Sequence, residues 1–176
     1  AGPQVTLFGP PDSAKMSINA MNALHRQLPD ESPLVAQLVS DSGHVPRWGA
    51  DSEDSKTPLA HDLRLATRNL KGCFDRSLSY DDPDSGRSYR LAQEGLAKPV
   101  KRIPGLALPD GHHLLDGEPM PLHLVELVQH IWTNHTQPEA LVMYFPKLEN
   151  DQEAAYLAAA IAATERAVQR RFPNYA

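Results

Sequence analysis

The run Asp51-Ser52-Glu53-Asp54-Ser55 places three carboxylates within four positions. Such a turn can line a divalent-cation site, or it can orient an arginine through a salt bridge. Taken alone, the same residues make a solvated turn and a helix cap. Arg102 ends the strand-like segment Val100-Lys101-Arg102-Ile103. A fixed guanidinium stabilises developing negative charge and grips a carboxylate with two N–H donors, although at a strand end it can also simply pair with a surface acid. Lys147 follows Pro146 after the apolar run Ala140-Leu141-Val142-Met143-Tyr144-Phe145. Burial would bring its pKa toward neutrality and suit it to electrostatic or Schiff-base work. A strand-end lysine facing solvent is the simpler expectation.

The remaining reactive side chains are arranged less suggestively. His112 and His113 are adjacent, and His123, His130 and His135 are seven and five residues apart. His123 and His130 can share a helix face, yet no carboxylate or cysteine completes a zinc-like set, so no metal ligands are assigned. Cys73, the single cysteine, ends a helical segment with no histidine near it in sequence, which argues against a nucleophile. There is no glycine-rich phosphate loop, no Gly-x-Ser-x-Gly elbow and no Cys-x-x-Cys pair.

These groups must be held by short elements, because 16 prolines divide the chain. Val5-Thr6-Leu7-Phe8 is strand-like and stops at Gly9-Pro10-Pro11. A helix over 14–24 follows, with Asp12 and Ser13 as caps. The cluster at 34–39 predicts a further short helix, and Arg47-Trp48-Gly49-Ala50 a second strand leading into the acidic turn. Thr57-Pro58 marks a helix start that Gly72 ends. Ser77 to Tyr80 and Arg87 to Leu91 flank a turn-rich segment and predict a hairpin. The strand at 100–103, a Gly/Pro/His-rich loop over 104–121 and a helix with Leu122, Val125, Leu127, Val128, Ile131 and Trp132 on or beside one face come next. The apolar run at 140–145 is the strongest strand, and a last helix, capped by Asn150 or Asp151, runs to about Arg171. This alternation predicts an α/β fold of parallel strands with helical crossovers and one inserted hairpin, in a single domain over 1–176. Near-continuous apolar strands predict a sheet covered on both faces. Chemistry is then expected in the loops at 9–13, 51–55, 104–118 and 146–150, after the strands.

Composition bounds the partners. With 22 acids against 17 bases and a net charge of −5, nucleic acid is not expected. No apolar run approaches the roughly 20 residues that span a bilayer, so no membrane role is expected either. One cysteine, and an N-terminus Ala1-Gly2-Pro3 without a signal-like pattern, lead to a cytoplasmic expectation.

In order along the chain, several segments resemble the catalytic barrel of the malate synthase family, in its shorter isoform class. They are Gly9-Pro10 with the helix Lys15-Met16-Ser17-Ile18-Asn19-Ala20-Met21-Asn22-Ala23, then Ala50-Asp51-Ser52-Glu53-Asp54-Ser55 with Pro58. The hairpin from Ser79-Tyr80 to Tyr89-Arg90-Leu91 follows, then Arg102 with Gly105-Leu106-Ala107-Leu108-Pro109 and His112, then Gly117-Glu118-Pro119-Met120-Pro121, and last Phe145-Pro146-Lys147 with its acidic helix. The resemblance implies the first half of a (β/α)8 barrel, and the glyoxylate-cycle reaction: magnesium-dependent Claisen condensation of acetyl-CoA with glyoxylate. It implies that Arg102 is catalytic, that Asp51, Glu53 and Asp54 line the rim, and that Ser55 contacts the acyl-CoA.

The chain also departs from the family. A complete barrel takes about 250 residues, and the resemblance stops after the fourth βα unit. The family's two magnesium-holding carboxylates and the aspartate acting on the acetyl methyl would fall beyond residue 176, so an incomplete acyltransferase, inactive alone, is expected. Ser52 stands where the family usually has an aromatic, Pro104 and Ala107 stand where it has an arginine and a histidine, and about twenty extra residues precede the second strand. The alternative expectation is a non-catalytic interaction module. The open edges near Val5 and Ala140 would then be covered by a homodimer or by a complementing polypeptide.

Overall fold

The computed structural model describes residues 6–23, 30, 32–54 and 59–175. Ser55, Thr57 and Pro58 lie outside the described residues, as do Val5 and Leu24. Four parallel strands form the central sheet: β1 (Thr6–Gly9), β2 (Arg47–Asp51), β5 (Lys98–Arg102) and β8 (Met143–Tyr144), in the order β1-β2-β5-β8. Strand order follows chain order without a reversal. The winding therefore proceeds in one direction, as in a barrel, whereas a doubly wound sheet has a switch point. The sheet is not closed; it matches half of a βα barrel.

Among the described residues, helices pack against one face of the sheet. The units are β1 with α1 (Ala14–Met21), β2 with α3 (Ala60–Phe74), β5 with α4 (Leu122–Thr133), and β8 with α5 (Asp151–Arg171). Side chains alternate across a strand, so Trp48 and Ala50 of β2 pack with Ala20, Met21, Leu70 and Cys73 of α1 and α3. Further along, Ile103 packs with Leu127, Ile131 and Val168 of α4 and α5, joined by Met143. On the opposite face Phe8 is 49% exposed and Tyr144 45% exposed. Coverage of both faces is thus a wrong expectation. The run at 140–145 is apolar because Leu141, Met143 and Phe145 pack on the helical side, while Val142 and Tyr144 are exposed.

The bare face is concave. Phe8 and Tyr144 stand on the two outer strands, three strand intervals apart, or about 14 Å in a flat sheet. Their rings nevertheless meet edge to face at 6.2 Å between centroids. Gly49 makes room for this contact: a Cβ at that position would fall 2.3 Å from the Phe8 ring.

Several element boundaries depart from expectation. The hairpin β3 (Ser79–Asp81) and β4 (Ser88–Arg90) forms as predicted. The segment expected as a loop over 104–121 instead contains a second hairpin, β6 (Pro109–Leu115) and β7 (Glu118–Pro121). Its turn residues, Asp116 and Gly117, have φ of 54° and 87°, the double positive φ of a type I′ turn. The run at 140–145 yields only the two-residue β8, because Pro138 starts a 3₁₀ turn over Pro138–Leu141. α3 continues past Gly72 to Phe74. Helix α2 (Pro33–Ser42), in the stretch before β2, ends at Gly43 with φ 59° and buries none of its residues.

Candidate active site

The C-terminal ends of β2, β5 and β8 bring charged residues together. Asp51, the last residue of β2, is in register with Arg102, the last of β5, and Arg102 with Tyr144 of β8. Arg102 therefore projects onto the concave face beside Asp51. Its Nη1 donates to Asp51 Oδ2 at 2.8 Å, and its Nη2 pairs with Asp54 Oδ2 at 2.5 Å. Both Arg102 and Asp51 are buried, with side chains 7% and 5% exposed, while Asp54 lies at the rim.

The turn after β2 is shaped by its own carboxylate: Asp51 Oδ1 accepts from the Glu53 amide at 2.9 Å, which fixes the direction in which Glu53 leaves. Glu53 then crosses to the loop after β5, where its Oε2 accepts the Gly105 N–H at 2.6 Å. Its other oxygen pairs with Lys147, which also reaches Asp54 at 3.2 Å. Lys147 adopts φ 59°, a left-handed conformation that a non-glycine residue enters at a cost. Lys147 faces solvent as expected, its side chain 56% exposed, and in addition it bridges Glu53 and Asp54, which the sequence did not reveal. Only the spacing of strand ends in three dimensions joins position 147 to 53 and 54.

The electrostatics follow from these contacts. Burial works against the Arg102 charge, but the hydrogen bonds to Asp54 and Asp51 outweigh it and hold its pKa above the ordinary value. The hydrogen bond from Arg102, then that from Lys147, holds the Asp54 carboxyl below the usual carboxylate range. Lys147 is raised in turn by Glu53 and Asp54. Three carboxylates and two cations thus form one continuous chain of ion pairs linking three strand ends. Asp51 and Asp54 engage two of the five N–H donors of Arg102.

A cavity of about 390 Å³ adjoins this chain, lined by Glu53, residues 105–108, Lys147, Glu149 and Glu153. Of the loops singled out in the sequence, those at 51–54 and 146–150 and the start of 104–118 meet here. The rest of 104–118 is hairpin. Ser55 lies outside the described residues.

The other singled-out residues have structural partners. His130 Nε2–H donates to the Ala140 carbonyl at 2.7 Å, and Asn134 Nδ2 lies 3.5 Å from its Nδ1. Burial, with the Lys101 charge nearby, pushes the His130 pKa down to about 4. His123 Nε2 lies 2.8 Å from Tyr156 Oη, and His113 pairs with Asp110. Cys73 is buried, and burial pushes its thiol up to about 12. Among the described residues no group of three or more His, Cys, Asp or Glu is placed to hold a metal ion, and no helix is long and apolar enough to cross a membrane.

No family model matches the chain. It is 33% identical to the glyoxysomal malate synthase of Gossypium hirsutum over 133 residues, 72% of this chain and 23% of that protein. It is 34% identical to the malate synthase of Arabidopsis thaliana over the same shares. Against the glyoxysomal malate synthase of Zea mays it is 29% identical over 157 residues, 85% of this chain and 24% of that protein. The chain thus spans about a quarter of the length of the curated relatives it matches.

Proposed function

From the premise that this chain has a malate synthase family relationship over most of its length, we propose that it forms the arginine-bearing part of a malate-synthase-like acyltransferase site. The substrates on this reading are acetyl-CoA and glyoxylate. The observation that carries it is the buried Arg102 at the end of β5, held by Asp51 and Asp54 and facing the concave side.

The chemistry suits that arrangement. Claisen condensation moves negative charge onto the enolate oxygen of the acetyl group and then onto the former aldehyde oxygen. A guanidinium already desolvated and oriented reduces the reorganisation needed to stabilise that charge. On this reading its remaining N–H donors bind the glyoxylate carboxylate, while Asp51 and Asp54 hold the group in place. Ser55, expected at the acyl-CoA, follows the acidic turn in sequence.

Magnesium fits these residues poorly. An octahedral ion needs oxygen donors directed at one point, whereas Glu53 and Asp54 already face Lys147 and Arg102, and Asp51 faces Arg102. The turn serves as the partner of the arginine, and the family's ion would be held by carboxylates other than these. The compartment expected from the sequence is the cytoplasm; the cotton and maize relatives are glyoxysomal by name.

Thiol release from acetyl-CoA in the presence of glyoxylate and magnesium tests the reading, alongside glyoxylate binding followed by calorimetry. Glyoxylate uptake, with any thiol release, is expected to vanish in Arg102→Lys, because lysine cannot reproduce the planar fork. A chain that neither binds glyoxylate nor releases thiol contradicts the proposal, as does an Arg102→Lys variant that does both as well as the parent.

A second reading, an interaction module, is favoured by one observation: the concave face exposes Phe8 and Tyr144. On that reading the face is covered by a second copy or by a complementing polypeptide.

A further inference from the structure

The end of the β2–β5 ladder is fastened on both faces of the sheet. On the concave face Arg102 grips Asp51 across the rung that pairs their Cα atoms. On the helical face the adjacent residue of each chain segment makes a matching link: Lys101 Nζ donates to Ser52 Oγ at 2.9 Å. Lys101 is also ion-paired to Glu126 of α4, with side chains only 3% and 2% exposed. Glu126 uses Oε2 for this contact, and its buried Oε1 has no hydrogen-bond partner among the described residues.

A buried ion pair is weak evidence for stability, because desolvating two charges cancels much of their attraction and an apolar pair of similar volume often serves as well. What distinguishes this pair is its attachment. Ser52 lies between Asp51, which holds Arg102, and Glu53, which holds the Gly105 amide and Lys147. Any shift of the Ser52 side chain is passed through one peptide unit to each of those carboxylates. The bridges at the mouth that involve Lys147 are open to solvent, whereas the Lys101 link is shielded from it.

We infer that Lys101, held by Glu126, is a positioning residue that fixes the acidic turn against Arg102 by way of Ser52. The inference rests on the arginine site proposed above. Lys101 and Glu126 touch no substrate; they act from behind the sheet.

The test uses Ser52→Ala, which removes only the acceptor, Ser52→Thr, which keeps it, and the double variant Lys101→Met with Glu126→Leu, which replaces the pair with apolar volume. The first readout is the titration of the Asp54 carboxyl by carbon NMR, which reports how closely Arg102 and Lys147 are held. The second is glyoxylate affinity by calorimetry. In Ser52→Ala the Asp54 midpoint moves up toward the ordinary carboxylate value and glyoxylate affinity falls about fivefold, as loss of one hydrogen bond gives. Ser52→Thr restores both, and the double variant repeats the loss while remaining folded. If the double variant fails to fold, Ser52→Ala decides alone. An unchanged Asp54 titration in folded Ser52→Ala overturns the inference. A shifted titration in a protein whose parent takes up no glyoxylate supports the positioning role while removing the arginine-site reading.

Discussion

Arg102 carries the chemistry proposed for this site, and its neighbours determine how a substitution there behaves. Arg102→Ala would break the buried ion pair that Arg102 makes with Asp51, a loss that typically costs about 3–5 kcal/mol. Thermal unfolding is therefore expected to drop markedly in that variant, while Arg102→Lys, which keeps the charge, separates loss of function from loss of fold. His130 provides a second test. Its pKa of about 4 in the folded chain is below the ordinary value near 6.5, so between those values the unfolded chain binds a proton that the folded one refuses. Stability is full above that window and falls by about 3 kcal/mol as pH drops through it. Urea unfolding at pH 7 and pH 4 measures the difference, and His130→Asn is expected to remove most of it. At this scale the sequence made the Asp51–Arg102 partnership legible, because an acidic turn and a strand-end arginine invite pairing. It did not reveal Lys147, whose partners lie 93 and 94 residues away.

Among the elements, local chemistry decided what pattern could not. The hairpin at β6 and β7 was announced by Asp116-Gly117, a dipeptide suited to two successive positive φ values. The prolines and histidines around it hid the signal. The strand at 140–145 was overestimated because apolar content says a segment is buried without saying how, and Pro138 turned its first residues into a 3₁₀ turn. In α4 the expected apolar face was displaced. His123, Glu126 and His130 are buried, while Val128 and Trp132 are half exposed, because Tyr156 of α5, Lys101 of β5 and the Ala140 carbonyl in the 3₁₀ turn supply their polar partners. Gly72 of α3 offers a test at this scale. A Cβ there would lie 3.0 Å from Leu78 Cβ and 3.2 Å from its Cα, and Leu78 N–H donates to the Gly72 carbonyl at 3.0 Å. Gly72→Ala is expected to destabilise by about 1–3 kcal/mol through overpacking against backbone, read as a lowered midpoint in urea. An unchanged midpoint would mean that the end of α3 yields freely.

For the molecule as a whole, the order β1-β2-β5-β8 with helices on one face leaves a concave surface on which Phe8 and Tyr144 are half exposed. Parallel strands with helical crossovers were readable from the βα alternation and the barrel-like winding only from the family resemblance; the one-sidedness was not read, because apolar runs look alike whether one face or both are buried. If a second copy covers this face, light scattering gives a mass above the 19.4 kDa of one chain, and Phe8→Ser with Tyr144→Ser returns it to that value. A parent that is monomeric at high concentration counts against self-association.

The central claim is that this curved half of a barrel presents a preset guanidinium to a small carboxylate. A glyoxylate titration followed on the Arg102 side-chain NMR signals tests it most directly. Saturable shifts of the Arg102 resonances, abolished in Arg102→Lys, are expected if the guanidinium receives the carboxylate. Arg102 signals that stay fixed while glyoxylate is added to excess would contradict it.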